Sequence, residues 1–340
     1  MIFVLNCGSQ SIKWKLFDDS FTLKKEGEKD IFNPKRYRSV LVRELKKLGE
    51  FREDISIVGH RVVHGGERFI GPRKVTEKDL KELKWLNKLA PLHNPFNLLG
   101  IKIASKFFKG IPQFAVFDTE FYAGLPEKSS VYPLPKNVRE KFGFKRYGFH
   151  GISHEYAAKE GAKRVKKPFK KLKIITCHLG GGSSITAIKN GKVIDTSMGF
   201  TPMEGLTMMT RTGDIDPGII LELARNISLK KVDKILNFES GLKGISGKDN
   251  MLDILDSIKE KNKRAKLSLE IFTYRVQKYI GAYFAVLGGC DLLVFTGSIG
   301  SGRSVIRNMI CKNLNILKST KIIIIKANEE LAIAQKIYEK

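Results

Sequence analysis

The run His178-Leu179-Gly180-Gly181-Gly182-Ser183-Ser184 sets three consecutive glycines between two apolar segments. Backbone without Cβ atoms lets several N–H groups converge on one anion, so a phosphate cradle is the first chemistry this spacing suggests. It is not a P-loop, because G-x-x-x-x-G-K-[ST] opens a helix and ends in lysine, whereas Ile185 to Ile188 continues as a strand and Asn190-Gly191 reads as a hairpin turn. For this loop in isolation, a tight hairpin whose glycines serve only positive φ is the plain alternative. A second loop of the same kind opens the chain in "IFVLNCGSQSIKWKLFD", where an apolar strand, a small polar turn and a strand alternating Ile12, Trp14 and Leu16 against Lys13 and Lys15 follow one another. Its hydrogen-bonding groups are Asn6, Ser9 and Ser11, with Lys13 as a point charge. Two copies of one unit predict a duplicated domain, and two such loops facing one another would grip a polyphosphate from both sides.

The elements that must carry these loops are short apolar strands alternating with helices. "IVGHRVVHGG", "FAVFD", "IITCH", "LLVFTG" and "IIII" are strand-length runs, and their alternation with helical segments predicts an α/β protein. Thr76 with Asp79 reads as a capping box, Asn94-Pro95 as a cap followed by proline, and Asp216-Pro217 as another. A final helix from Asn328 is expected to pack back on the first domain.

At 340 residues the chain exceeds what one core usually holds, so two domains are expected, with the boundary near Asp118 to Pro126. Four cysteines, Cys7, Cys177, Cys290 and Cys311, show no CxxC spacing, which points to neither a zinc site nor a disulfide framework. The first residues enter a strand pattern with no cleavable leader, so a cytoplasmic location is expected. The apolar stretch from Tyr279 contains Asp291, and Gly288-Gly289 reads as a helix end before a buried strand rather than as part of a membrane span. The net charge of +26 raises the question of a nucleic-acid partner. Basic residues are nonetheless spread along the chain, and the densest run, "KRVKKPFKKLK", straddles Pro168 in a helix-to-strand connector, so a solvated face is preferred and no nucleic acid is expected.

In order, "VLNCGSQSIKWKLF", "GHRVVHGGE", "PLHNP", "FDTEF", "YGFHGISH", "HLGGGSS", "DTSMGFTPMEGL", "TRTGDIDPG", "SGLKGISG" and "NEELAIAQ" together closely resemble the acetate kinase family over nearly the whole chain. The resemblance implies a duplicated RNase H-like fold of the actin, Hsp70 and sugar-kinase type, with two domains and an interdomain active-site cleft. It implies domains at 1–121 with 331–340, carrying the acceptor and phosphate loop, and at 122–330, carrying nucleotide binding and dimerisation. It also implies a homodimer that moves the γ-phosphoryl group of ATP to acetate with Mg²⁺, Mn²⁺ being a possible substitute. This chain is similar to a compact member, shortened between Lys13 and Gly59 and between Gly300 and Glu329.

Residue by residue, the resemblance implies Arg61 and Arg211 as active-site arginines, His150 as a donor to the phosphoryl group in flight, and Asp118 as an orienter of arginine and metal-bound water. A carboxylate acceptor is already ionised at neutral pH, so the reaction needs neutralisation of converging charge more than a base. Glu329 with Asn6 is implied as the magnesium site, and Glu330 is set aside. Val63, Leu92, Phe149 and Pro202 are implied as the acceptor wall, with Arg61 binding the acceptor. His93 is a weaker candidate, while His60, His64 and His154 are read as packing residues.

The nucleotide side combines Lys13, Ser9, Ser11, His178, Leu179, Gly180, Gly181 and Gly182 with Asn250, Met251 and Leu252 and with Ser298, Ile299, Gly300, Ser301 and Gly302. Here the chain departs from the family. Gly181 stands in place of an asparagine, Asn250-Met251-Leu252 in place of residues ending in an arginine that lies on the base, and Ser298 to Gly302 in place of Gly-Ile-Gly-Glu-Asn. These departures bear on which donor is used, with another nucleotide or pyrophosphate as alternatives to ATP. A propionate or butyrate kinase is the nearest rival, a nucleotide-dependent binding module of the same fold the rival of a different class, and RNA binding a third.

Overall fold

The computed structural model describes residues 1–31 and 33–339. Their contacts divide the chain into two compact units, Met1–Ala123 with Phe149–Ser153 and Asn328–Lys340, and Gly124–Gly148 with His154–Ala327.

The first unit is built on a six-stranded sheet of β1 (Ile2–Cys7), β2 (Ser11–Phe17), β3 (Leu23–Asp30), β4 (Ile57–Val62), β5 (Arg73–Lys74) and β6 (Gln113–Phe117), in the order β3-β2-β1-β4-β6-β5. The second holds a five-stranded sheet of β7 (Lys173–Leu179), β8 (Ser183–Lys189), β9 (Lys192–Thr196), β10 (Leu292–Thr296) and β11 (Lys321–Ile324), in the order β11-β10-β7-β8-β9. In each sheet the first strand pairs antiparallel with the second across a small turn, and pairs parallel with a strand much later in sequence. The order β3-β2-β1-β4-β6 therefore repeats as β9-β8-β7-β10-β11, and the duplication expected from the two loops is a duplication of topology.

Local chemistry explains these elements. β2 buries Ile12, Trp14 and Leu16 and turns Lys13 and Lys15 outward, the period of a strand with one face on a core. β1 is buried along its whole length, as a central strand covered on both faces must be. Asn190 and Gly191 both take positive φ, 54° and 80°, the backbone a two-residue hairpin turn demands. The long apolar stretch divides as expected: the helix Lys263–Leu287 ends on Gly288 at φ 66°, and β10 follows. No helix among the described residues is long and apolar enough to cross a membrane.

Helices α1 (Tyr37–Lys46), α2 (Glu77–Trp85) and α3 (Asn94–Phe107), with the C-terminal helix Glu329–Tyr338, cover the first sheet. Thr76 and Asp79 form the expected capping box at the start of α2. At α3 the expectation is corrected: the cap position falls on His93, and Asn94 is already helical. Its side-chain amide is used elsewhere, accepting from the His64 N–H at 3.0 Å and donating to the His64 carbonyl at 3.0 Å. The C-terminal helix lies close over β4 because Gly59 has no Cβ; one built there would sit 2.7 Å from Ile333 and 2.8 Å from Ile337. That close approach brings Glu329, in the first turn of the helix, within reach of the strand end.

The second sheet packs against the helix Lys263–Leu287 through one apolar cluster that includes Ile175, Ile185, Phe272, Val276, Leu293 and Phe295. All four cysteines are free thiols. The basic run around Pro168 lies on the surface between the helix Gly151–Arg164 and β7, as a solvated connector would.

Candidate active site

In the first unit the chemistry gathers at the ends of β4 and β6. The parallel register pairs Arg61 with Val116 and Val62 with Phe117, and the ladder continues as the Asp118 N–H donates to the Val62 carbonyl at 3.0 Å. Asp118 thus stands one residue past its strand with its side chain turned toward that of Arg61. The guanidinium donates from Nη2 to Oδ2 at 2.7 Å and from Nε to both carboxylate oxygens at 3.2 Å. Its remaining arm, Nη1, lies 3.1 Å from Oε2 of Glu329.

Burial pushes the Asp118 carboxyl up to about 6, against the pull of the adjacent guanidinium. Burial also works against the charge on Arg61, but the carboxylates of Asp118 and Glu329 outweigh it and hold the guanidinium firmly protonated. The result is a fixed cation with Asp118 1% exposed and the arginine side chain 18% exposed.

Behind Glu329, Asn6 donates from Nδ2 to Oε1 of Glu330 at 3.2 Å and to Oε2 of Glu329 at 3.5 Å. Glu330 also faces Lys15 at 3.7 Å, so Lys15 and Asn6 hold it while Glu329 faces the arginine. Among the described residues no three His, Cys, Asp or Glu side chains converge as a metal cage. Magnesium asks for less: one carboxylate and a neutral oxygen beside water and phosphate oxygens, a donor set that Glu329 and the Asn6 amide oxygen match in kind.

His150 precedes the helix Gly151–Arg164 with φ 58°. The other non-glycine residues of positive φ among those described, Phe21, Lys166, Asn190 and Lys261, lie in turns or beyond helix C-termini. Only His150 takes this conformation at the entry to a helix, which for an L-residue costs about 1–3 kcal/mol unless its surroundings enforce it. They do: the Gly151 N–H donates to the Asp118 carbonyl at 3.0 Å, and Tyr122 Oη donates to the Phe149 carbonyl at 2.7 Å. A Cβ on Gly151 would fall 2.1 Å from the Asp118 carbonyl oxygen, so only glycine permits this docking. Val63 and Phe149 are buried, with the His64 ring edge-on to Phe149 at 5.5 Å, and Leu92 is half-buried. Ser9 and Ser11 flank the first turn, whereas Lys13 forms a surface pair with Glu28 at 2.6 Å.

In the second unit, Gly180 and Gly181 lie outside the positive-φ region, so the glycines there do not serve backbone conformation. A Cβ at Gly181 would meet nothing within 4 Å, and one at Gly180 would approach Ser298 Oγ at 3.5 Å and His178 Nε2 at 3.8 Å. The loop is open at Gly181 and polar beside Gly180, whose own N–H is given to the Gly182 carbonyl at 3.0 Å and the Ser183 hydroxyl at 3.2 Å. His178 lies 6.1 Å, ring to ring, from His154, which is held between the hydroxyls of Thr176 at 2.6 Å and Ser184 at 2.7 Å and kept neutral by burial.

Arg211 donates to the Pro202 carbonyl at 3.3 Å, and burial draws its pKa down, the reverse of Arg61. Sequence reasoning missed what fixes this loop. Glu204 accepts from Arg146 at 2.5 Å and bonds Tyr132, whose hydroxyl accepts the Phe200 N–H at 2.9 Å. Asp214 takes the Gly205 N–H at 2.8 Å and the Tyr279 hydroxyl at 2.7 Å. Glu204 and Asp214 lie inside quoted motifs, so they carried a signal; Tyr132, Arg146 and Tyr279 did not.

Three residues expected at the base divide in role. Asn250 caps the helix Met251–Lys259 by accepting from the Asp253 N–H at 2.9 Å, and Met251 belongs to the core. Asn250 and Leu252, the latter 56% exposed, lie at the surface and are open to a ligand. Of the run from Ser298 to Gly302, Ile299 is buried, the Ser301 hydroxyl donates to the Gly297 carbonyl at 2.7 Å, and the Gly300 and Gly302 carbonyls accept from Arg307. Ser298 is exposed beside the glycine loop.

A family model described as the acetokinase family matches residues 35–320. The chain is 44% identical to an acetate kinase of Halothermothrix orenii, with 98% of each covered, and that alignment spans 388 positions against 340 residues here, so the relative carries insertions this chain lacks. Among solved structures, a Porphyromonas gingivalis acetate kinase superposes with a TM-score of 0.89 and a Francisella tularensis propionate kinase with 0.91, each 34% identical with 98% of both chains covered. A ROK family protein of Streptococcus pneumoniae shares the fold alone, at a TM-score of 0.51 and 11% identity over 99% of this chain and 97% of its own. With the repeated topology, this establishes the duplicated fold of the actin, Hsp70 and sugar-kinase type.

Proposed function

This chain belongs to the acetokinase family, and from that premise we propose that it transfers the γ-phosphoryl group of ATP reversibly to the carboxylate of acetate, giving acetyl phosphate and ADP by direct in-line transfer. The observation that carries the reading is Arg61, a guanidinium fixed from two sides by Asp118 and Glu329. A carboxylate and a phosphoryl group repel one another, and the largest help available is a preorganised cation where their charges converge. Arg61 holds the acceptor oxygens and Asp118 keeps it aimed. Arg211, half-buried and donating to the Pro202 carbonyl, supplies the second cation.

His150 donates to the phosphoryl oxygens, and its enforced backbone geometry fixes the direction of that bond. Val63, Leu92 and Phe149 form the first unit's wall around the acceptor's methyl group, and Pro202 is the second unit's candidate for it. Gly180 to Gly182, with His178 and Leu179 at their entrance and Ser298 beside them, take the phosphates of the donor in the second unit; Ser9 and Ser11 line the matching turn of the first, with Lys13 further on in β2. Glu329 and Asn6 would hold Mg²⁺, or Mn²⁺ in its place. Held there, the ion would supply positive charge that offsets that of the phosphates. A homodimer is part of this reading, supported by the helix Pro217–Asn226, which leaves Ile219 and Leu221 exposed and buries none of its residues. A cytoplasmic location completes it.

Two alternatives rest on specific observations. The propionate kinase matches as well as the acetate kinase, and one methylene is worth only about 1–3 kcal/mol of discrimination. Met251 belongs to the core and Asn250 caps a helix, so the three residues expected at the base present no arginine or aromatic ring to it, which leaves the donor open to GTP or pyrophosphate.

The test is to incubate the protein with acetate, Mg²⁺ and, separately, ATP, GTP and pyrophosphate, trapping acyl phosphate as the hydroxamate. Product with ATP is expected. Product only with pyrophosphate reassigns the donor, and a higher kcat/KM with propionate reassigns the acceptor. No product with any donor, using acetate, propionate and butyrate in turn, would overturn the kinase reading in favour of a nucleotide-dependent binding module.

A further inference from the structure

Asn97 joins two strand ends that the site uses for different purposes. It sits in the first turns of α3, 3% exposed, and its side-chain amide is spent on backbone alone. Nδ2 donates to the Cys7 carbonyl at 2.7 Å, where β1 ends and the Gly8-Ser9 turn begins. Oδ1 accepts from the Val63 N–H at 3.1 Å, where β4 ends two residues after Arg61. β1 and β4 are parallel neighbours paired from Ile2 to Leu5 against Ile57 to His60. Beyond that register the Asn97 amide takes the place of a ladder bond between them.

Asn94, one turn earlier on the same face, makes a different use of the same chemistry. Both of its bonds go to one residue, His64. It steadies the β4 end alone.

We propose that Asn97 is a positioning residue that locks the phosphate turn after β1 to the acceptor-side strand end after β4, so that phosphate and acceptor groups of the first unit are held at one fixed spacing. The proposal rests on the assignment of those two strand ends given above. An amide is the side chain that does this best at such length, because it presents one donor and one acceptor in a single plane. Aspartate is nearly isosteric, keeps the acceptor for Val63 and sets a carboxylate oxygen against the Cys7 carbonyl, breaking one arm of the brace.

The experiment compares Asn97→Asp, Asn97→Ser and Asn94→Asp with the wild-type chain, in steady-state kinetics and in amide hydrogen exchange. Asn97→Asp is expected to raise KM for both ATP and acetate and to lower kcat, each on the order of 10-fold, since small misplacements of positioned groups are costly. Asn94→Asp is expected to raise KM for acetate alone. In exchange, the Asn97 variants should deprotect the Gly8 to Ser11 turn and the Val63 amide together, and Asn94→Asp only the residues around His64.

A loss of melting temperature with kinetic constants and exchange at Gly8 to Ser11 unchanged would make Asn97 a fold residue and overturn the proposal. Asn97→Ser, which brings no charge, gives the same comparison if the buried carboxylate prevents folding. A wild-type chain that makes no acyl phosphate would sink the kinase reading instead, and the exchange comparison would then decide the brace by itself.

Discussion

Arg61 and Asp118 are bound by three contacts of 2.7–3.2 Å although 57 residues separate them, and the bond that completes the arginine comes from Glu329 at the other end of the chain. One guanidinium therefore reports the correct docking of β4, β6 and the C-terminal helix. Replacing Arg61 with alanine should lower kcat by roughly 10²- to 10³-fold, the usual loss for one preorganised transition-state donor. It should also destabilise the fold by about 3–5 kcal/mol, because the Asp118 carboxylate is left buried without its partner. Arg61→Lys should recover little activity, since a point charge cannot span both carboxylates. Adding Asp118→Asn to Arg61→Ala should restore most of the stability and none of the rate; denaturant melts beside hydroxamate assays read the two effects apart, and a rate restored with the stability would refute this role for the pair.

The pH profile follows from the same pair. Burial lifts the Asp118 carboxyl from its ordinary 3.8 to about 6, so the group that aims Arg61 loses its charge as the pH falls through about 6. Activity should decline on that acid side with the slope of a single proton. Asp118→Asn should be slow and flat over the same range. In stability the sign is opposite: a carboxyl whose folded pKa is raised favours the fold below its unfolded value and loses that contribution as the pH rises from 3.8 through about 6. Melting curves of both proteins at pH 4 and pH 7 check this, and an acid limb that persists unchanged in Asp118→Asn would assign it to another group.

The two glycine positions predict opposite outcomes. Gly151→Ala should prevent the His150 turn from docking, because its Cβ would lie 2.1 Å from the Asp118 carbonyl oxygen. Little folded, active protein is expected. Gly181→Asn should change stability by no more than about 0.5 kcal/mol, since a Cβ there meets nothing within 4 Å and no positive φ is required. The added amide donor at the cradle should lower KM for ATP. A destabilised Gly181→Asn protein would show that the open side of the loop is closed in solution.

Leu252 tests the base side. It is 56% exposed, so Leu252→Arg should leave the melting temperature nearly unchanged. A guanidinium stacked on the base adds about 0.5–2 kcal/mol, which lowers KM for ATP by roughly 2- to 30-fold. The effect should be absent with pyrophosphate, which has no base. An unchanged KM for ATP would mean that the base lies elsewhere.

What the sequence determined by itself is what local spacing encodes. The alternation of Ile12, Trp14 and Leu16, the Asn190-Gly191 turn, the Thr76 capping box and the Gly288 helix end each depend on neighbours a few residues away, and each stands as expected. So does the repeat of strand, small turn and strand, because two copies of one pattern fold into two copies of one topology. The tertiary structure decided every pairing that crosses the chain. Asn94 reads locally as a cap, yet a carbonyl and an amide of His64 lie within its reach and a buried amide must satisfy both. The resemblance singles out Glu329 over Glu330, but it is the helix pitch that turns one to Arg61 and the other to Lys15, with Asn6 donating to both. Strand register and helix docking set those distances, and both are fixed by the burial of residues far from the ones that meet.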